Sequence, residues 1–438
     1  MVSDWKKTKL GLITASAAFL LAACGGSGDA NESEAPAGSD TADTTETSDA
    51  AGDFSGQTLK VTVEGDYTSF VESIIPAFEE EYGVTIELAE IDMFDNLEAL
   101  PLDGPAGLGP DVMIAPYDRV GGLGLQGHLL EVELPDDGRY DSTDELQVTA
   151  DATYFGSPFV IEALVMYYNK DLIDTVPTTF AELEALTEDE RFAFASEAGK
   201  STAFLANWVD FYNSYGLLAG FGGYVFGEEG TDTTDVGLNT PEAIEAIEYS
   251  QKWFQEIWPQ GMLDKTTSGN FINDQFISGK TAATINGPWG AAGYRDGGVN
   301  YGVAPVPTLP NGEAYAPFAG GKAWVISSYS EVGELAQEWL NYVTNEENMM
   351  ALFTDYTNEI PANQAARKQI ADAGDNELAV AVIEQYNTAV PMPNIPEMAE
   401  VWAGAETMMF DAGSNNKTAE ESANDTVELI KQNIEQKY

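Results

Sequence analysis

One cysteine and one histidine in 438 residues cannot build a disulfide framework, or a metal site of several thiolates or imidazoles, within one chain. A histidine general base needs an orienting partner and a reacting group beside it. Nothing around His128, in a glycine-rich stretch, identifies either, and it reads as a surface or packing side chain. Basic residues are also scarce, with 19 Lys and Arg against 73 Asp and Glu and a formal net charge of -54. Such a surface repels phosphate backbones and anionic lipids, which excludes nucleic acid as a partner. The acidity reads as a solubility device, and a saline or alkaline habitat would favour it as well. No calcium loop of the D-x-D-x-D-G kind occurs, and the residue types present point to no cofactor. What is present is ordinary for a folded protein: 44% hydrophobic and 11% aromatic residues, in a length that suits two lobes, each with its own core.

The first 53 residues read as an address and a tether. Lys6, Lys7 and Lys9 precede an apolar run from Leu10 to Ala23, the layout of a secretory signal and too short to span a bilayer comfortably. The run ends in Leu21-Ala22-Ala23-Cys24 followed by two glycines. That string resembles the lipobox of bacterial lipoproteins, in which the cysteine thiol receives diacylglycerol. The resemblance implies a signal peptide over 1–23, an acylated Cys24, and a protein held at the extracellular face of a Gram-positive cell membrane. From Gly25 to Asp53 the chain holds eight acidic residues with Gly, Ser, Thr and Ala, and no Lys or Arg. It cannot bury enough apolar surface to fold, and as a coil it reaches roughly 30 Å.

Beyond it, strands and helices alternate. Leu59, Val61 and Val63 recur with the period of two that a strand requires. Phe70, Ile74, Phe78 and Tyr82 then line one helical face, Gly83 stops the run, and Val84, Ile86 and Leu88 begin a second alternation. A strand, helix and strand of this length predict parallel pairing. Pro76 falls within the helix, where a kink is expected. Asp111 to Ala115 and Leu164 to Asn169 read as strands, while Thr240 and Pro241 cap a helix carrying Ile244, Ile247, Phe254 and Ile257. The fold class is therefore α/β, whose ligands bind at loops beyond the carboxyl ends of the strands.

Three features could carry chemistry. Gly122, Gly124 and Gly127 match G-x-G-x-x-G, but the match leads to His128-Leu129-Leu130 without a capped long helix, so a plain glycine-rich turn is expected there. Trp208, Tyr212, Tyr215, Trp289, Tyr294 and Trp402 lie near Gly, Pro or Asn, where chains turn. Composition alone makes each a core residue, although an exposed ring could pack on the C–H face of a sugar. Paired carboxylates could instead serve a glycoside hydrolase, yet among 73 acidic residues no spacing selects a pair.

The segment GPDVMIAPYDRVGG at Gly109 to Gly122 resembles the maltose- and maltodextrin-binding proteins of bacterial ABC importers. So do FVIEALVMYYNKDLI at Phe159 to Ile173, TINGPWG with NYGVAPVPTLP between Thr284 and Pro310, and PMPNIPEM before Trp402, in the family's order and near its spacing. The weaker match runs from about Leu59 to the end. Carried over by position, the resemblance implies sugar-hydroxyl contacts from Asp66, Asp118, Arg119 and Glu162, with Arg119 also orienting Asp118. From the segment WVDFYNSYGLLAGFGGY it adds Asp210, Tyr212 and Tyr215, and it stacks Trp289 and Trp402 on successive glucosyl rings. Departures accompany it. Ala115 and Ala403 replace aromatics, Glu406 replaces an arginine, and Tyr67, here also a ligand contact, replaces a lysine.

The resemblance implies a two-lobed periplasmic-binding-protein-like fold of type II with discontinuous lobes, 54–160 with 324–371 and 165–318 with 377–438. Three crossings, near Val160 to Leu164, Phe318 to Trp324 and Ala371 to Glu377, would make the hinge. The expected function is capture of a malto-oligosaccharide by a monomer that closes on the sugar and delivers it to the permease subunits of an ABC importer, with no bond broken. A cyclodextrin or another α-glucoside is the alternative ligand, and a secreted glycoside hydrolase the alternative class.

Overall fold

The computed structural model describes residues 54–438, and for Asp66 the backbone only. The signal segment, Cys24 and the acidic tether lie outside the described residues. The first alternation forms the strand Thr58–Val63, with Leu59, Val61 and Val63 buried. The next residues form the helix Gly65–Tyr82, which ends where Gly83 takes a left-handed φ of 66° and its amide reaches the Glu79 carbonyl. Only a residue without Cβ adopts that geometry at little cost, so the chain reverses here into Thr85–Glu90, paired in parallel with the first strand.

The larger sheet has seven strands. Its main path runs Ile360–Pro361, Ser157–Glu162, Phe318–Ile326, Val112–Pro116, Thr58–Val63, Thr85–Glu90, and Val390–Pro391 pairs with the start of Phe318–Ile326. The smaller sheet runs Tyr301–Ala304, Val165–Asn169, Ala283–Asn286, Phe204–Leu205. Only the buried pair Ala163 and Leu164 separates Ser157–Glu162 in one sheet from Val165–Asn169 in the other. The chain thus passes between two α/β lobes over two residues.

Each lobe has its own core. Phe70, Phe78, Ile114, Trp324 and Trp339 pack behind the larger sheet, and Phe204, Trp208, Trp253, Trp258 and Met408 behind the smaller. Burying side chains of this size stabilises by about 1.5–3 kcal/mol each relative to leaving them exposed. A third cluster, with Ile161 and Ile360 from one sheet and Val165 and Tyr167 from the other, packs beside the passage between them.

Two elements differ from expectation. The glycine run is a helix, Tyr117–Leu125, and only Gly127 beyond it has a left-handed φ, 79°. Its glycines serve close packing. A Cβ on Gly121 would lie 2.2 Å from the Asn394 carbonyl oxygen, and one on Gly124 would lie 2.3 Å from the Phe155 ring. The helix capped by Thr240 ends at Lys252 and passes into a wider turn, Trp253–Ile257, closed by the Trp258 amide on the Trp253 carbonyl at 2.7 Å. That extra residue in the turn lets Trp253, Phe254 and Trp258 all reach the core. Among the described residues, no helix is long and apolar enough to cross a membrane.

Candidate functional site

The strand Val112–Pro116 ends at the N-terminus of Tyr117–Leu125, which puts Asp118 and Arg119 in that helix's first turn. Arg119 Nε lies 3.4 Å from Asp118 Oδ2, with the guanidinium side 53% exposed and the carboxylate side 16%. Burial raises the Asp118 pKa, and the neighbouring guanidinium only partly offsets it. The carboxylate therefore gains from any further hydrogen-bond donor that reaches it.

Glu162 ends the strand Ser157–Glu162 and faces Gly320 on its antiparallel neighbour. Two residues on, Lys322 Nζ donates to Glu162 Oε1 at 2.5 Å and lies 3.5 Å from Glu359 Oε1, while the Tyr67 hydroxyl donates to Glu359 Oε2. One ammonium thus serves two carboxylates in a nearly dry place, 5.7 Å from the centre of the Tyr67 ring. Burial works against the Lys322 charge, but Glu162 and Glu359 outweigh it and its pKa lies well above 10.5. Burial raises Glu359, and burial with the Glu359 charge pushes Tyr67 well up. Composition hid Lys322 and Glu359. The one available signal was a lysine inside the apolar strand sequence FAGGKAWVI.

The second lobe presents Tyr212 to this cluster. It lies in the helix Phe211–Phe221, capped by Asp210, whose Oδ1 accepts from the Asn213 amide at 3.0 Å and its side-chain nitrogen at 2.6 Å. The Tyr212 hydroxyl comes so close to Gly320 that a Cβ there would stand 2.7 Å away. Burial first, then the Glu162 and Asp118 charges, raise the Tyr212 pKa, so its hydroxyl keeps its proton. Glu406 lies beyond Asp210, its pKa raised by burial and by the Asp210 charge, with Lys265 3.9 Å away.

Aromatic rings continue from there. Tyr212 lies 6.2 Å from Trp289 and 6.1 Å from Phe318 between ring centres, and Phe318 in turn stands 5.9 Å from Trp402. Phe318 is the hub of the row and was not singled out by its sequence context. Trp289 is 51% exposed, its indole folded back over Gly287. It borders a recess of about 340 Å³ with Asn207, Asn213, Asn273 and Asn286. Trp402 is half-buried and borders a separate recess of about 290 Å³ together with Asp118 and Arg119. Tyr215 is packed in the core, stacked on Phe318 at 3.6 Å. Trp208 and Tyr294 are also buried, and His128 shares a hydrogen bond with the Tyr329 hydroxyl at 2.8 Å.

Asp118, Arg119, Glu162, Tyr67 and Tyr212 therefore converge, flanked by Trp289 on one side and Trp402 on the other. A larger cavity of about 1020 Å³, bordered by Asp151, Ala152, Glu228 and Glu229, includes only Tyr215 of the nominated residues. Among the described residues no three His, Cys, Asp or Glu side chains gather as metal ligands. The arrangement can grip a neutral polyhydroxylated molecule, with carboxylates and a tyrosine for hydroxyls and indole faces for apolar ring surfaces. Two motif segments also meet physically: Asn394 of the PNIP stretch crosses against Gly121 and donates to the Gln147 and Thr149 carbonyls, each at 3.0 Å.

Known proteins share this sequence and fold. Residues 62–350 match the family described as bacterial extracellular solute-binding protein. The chain is 58% identical over 380 residues, 87% of its length and 91% of the relative's, to a maltodextrin-binding protein of Bacillus subtilis. It is 46% identical over the whole length of both chains to a maltooligosaccharide ABC transporter solute-binding lipoprotein of Streptococcus pneumoniae. Among solved structures, a maltose-binding periplasmic protein of Listeria monocytogenes in complex with maltose matches with TM-score 0.84 and 55% identity, covering 87% of this chain and 99% of that one.

Proposed function

Because the chain belongs to the bacterial extracellular solute-binding proteins, we propose that it captures a malto-oligosaccharide between its two lobes and delivers it to an ABC importer. It is a binding protein and not an enzyme. The observation that carries the reading is the approach of the Tyr212 hydroxyl, from the second lobe, to Gly320, which pairs with Glu162 on the larger sheet. A sugar hydroxylated on its edges and apolar on its faces satisfies both these groups and the indoles of Trp289 and Trp402. A shorter set of contacts exists with the lobes apart, so the ligand favours the closed form by the difference.

In this reading Asp66, Asp118, Arg119, Glu162, Asp210 and Tyr212 serve the hydroxyls and Trp289 and Trp402 the ring faces, while Tyr67, buried and bonded to Glu359, and Tyr215, buried and stacked on Phe318, support the site from behind. The lobes are 54–160 with 324–371 and 165–318 with 377–438. A diacylglycerol on Cys24 holds the monomeric protein at the outer face of the membrane beside its permease, and mass spectrometry of the mature N-terminus reads that modification directly.

Calorimetry with maltotriose tests the function. The native chain binds it, and Trp289→Ala weakens binding about tenfold without lowering the melting temperature, because a half-exposed indole contributes little to the fold. Full affinity in the variant removes Trp289 from the site. Steady release of reducing ends from maltodextrins would instead favour a hydrolase.

A further inference from the structure

Three buried polar atoms beside the passage between the sheets have no hydrogen-bond partner among the described residues: the Tyr117 hydroxyl, Gln147 Oε1 and the Tyr386 hydroxyl. Each is held by a different element. Tyr117 begins the helix Tyr117–Leu125, and its ring lies against Gly321, where a Cβ would stand 2.5 Å from it. Gln147 ends the helix Ser142–Gln147, which packs on Ser157–Glu162 of the larger sheet. Its side-chain nitrogen donates to the Ala319 carbonyl at 2.6 Å, and Oε1 is left to find a donor elsewhere. Tyr386 ends the helix Glu377–Tyr386, which packs on Tyr301–Ala304 of the smaller sheet.

The three atoms are neighbours. Burial raises the Tyr117 pKa, and of the groups around it Tyr386 adds most. Burial raises Tyr386 as well, with Asp144 adding to it, while Arg367 and the Gln147 side chain oppose. Arg367 stands 5.8 Å from the centre of the Tyr386 ring, but Asp144 takes it at 2.8 and 3.2 Å and Asp141 at 3.1 Å. The charges satisfy one another and leave the hydroxyls and the amide oxygen aside. A recess of about 210 Å³, bordered by Asp141, Arg367 and Tyr386, brings solvent to one side of the Tyr386 ring. An unpaired buried hydroxyl or amide oxygen costs the fold, and three in one place cost it more. One water completes the set. Its oxygen accepts from both hydroxyls and one of its hydrogens goes to Gln147 Oε1, which makes about the usual three bonds of a buried water.

We propose that Tyr117, Gln147 and Tyr386 form a buried water-binding site that joins the two lobes beside the passage between their sheets. The water ties one residue packed with the smaller sheet to two packed with the larger. It can re-form its bonds when the helix Glu377–Tyr386 moves, where a direct bond between side chains would have to break. The site stands apart from the sugar contacts and does not depend on which sugar is bound.

The test is thermal melting of the full chain as native protein, Tyr117→Phe, Tyr386→Phe and the double variant, together with a crystal structure of the native protein. Each single variant lowers the melting temperature by about 2–4 °C, because it removes one bond to the water and leaves the other groups short of a partner. The double variant loses less than the sum of the two, since both hydroxyls act through the same water. The crystal structure shows one ordered water within hydrogen-bond distance of all three atoms. Melting temperatures that hold or rise in both single variants overturn the site, because deleting a dry, unpaired hydroxyl relieves a cost. A loss confined to Tyr386→Phe, with that hydroxyl bonded directly to Gln147 in the crystal, overturns it as well.

Discussion

Lys322 is the cation that Glu162 and Glu359 share, and all three lie where water is nearly excluded. Removing it leaves two carboxylates in a low-dielectric place with only the Tyr67 hydroxyl to help. Lys322→Met should destabilise the protein by about 3–5 kcal/mol, measured by denaturant unfolding. Adding Glu359→Gln should recover part of that loss, since one buried charge then disappears with its partner. If the single substitution proves neutral, the ammonium does not hold the carboxylates. The cluster was poorly legible in the sequence. Tyr67 was nominated as standing where the family has a lysine, but the positive charge arrives from a strand 255 residues further along, and only the pairing of Phe318–Ile326 with Ser157–Glu162 brings it there. Aromatics divided in the same way. Trp208 follows Asn207 and Trp289 follows Pro288, both turn-forming residues, yet one is in a core and the other half-exposed, because burial depends on which elements fold over a ring.

The elements themselves were largely readable. Period-two and period-four apolar patterns, a left-handed glycine and a Thr-Pro cap gave Thr58–Val63, Gly65–Tyr82, Thr85–Glu90 and Pro241–Lys252, because these signals act over a few residues. Tyr117–Leu125 escaped that reading. Three glycines argue against a helix locally, and what stabilises it here is close contact with Phe155 and Asn394, both far away in sequence. Gly124→Ala, which would improve helix propensity in isolation, should instead cost about 1–3 kcal/mol, because the Cβ would stand 2.3 Å from the Phe155 ring. It should also weaken maltotriose binding, since the helix that must shift carries Asp118 and Arg119 in its first turn. A stabilised variant with unchanged affinity, seen by thermal melting and calorimetry, would contradict this account.

At the scale of the molecule, 73 acidic residues against 19 basic ones oppose compaction, and salt should relieve that repulsion. Titration acts in the same direction. Burial raises Asp144 from 3.8 to about 6 in spite of Arg367, and burial likewise raises Asp118 and Glu359. These groups bind protons more readily folded than unfolded, so their contribution is greatest when protonated and is lost as pH rises through that window. Hydrogen-bonded surface carboxylates such as Asp137, Asp189 and Asp264 are lowered, and their contribution disappears only as pH falls below 3.8. The melting temperature should therefore rise from about pH 7 to about pH 5, and at pH 7 on adding about 0.1 M salt. Calorimetric scans showing a steady fall on mild acidification would refute this sign.

Sequence by itself determined that the chain is α/β, that its acidic residues far outnumber its basic ones, and which family it resembles. Periodicity, charge and motif order need no knowledge of distant contacts. Only the tertiary structure decided which carboxylates share a cation, which indoles remain open, and that Tyr117, Gln147 and Tyr386 meet in one buried place. Those outcomes depend on two sheets folding beside a short passage, and on residues hundreds of positions apart competing for the same few ångströms of space.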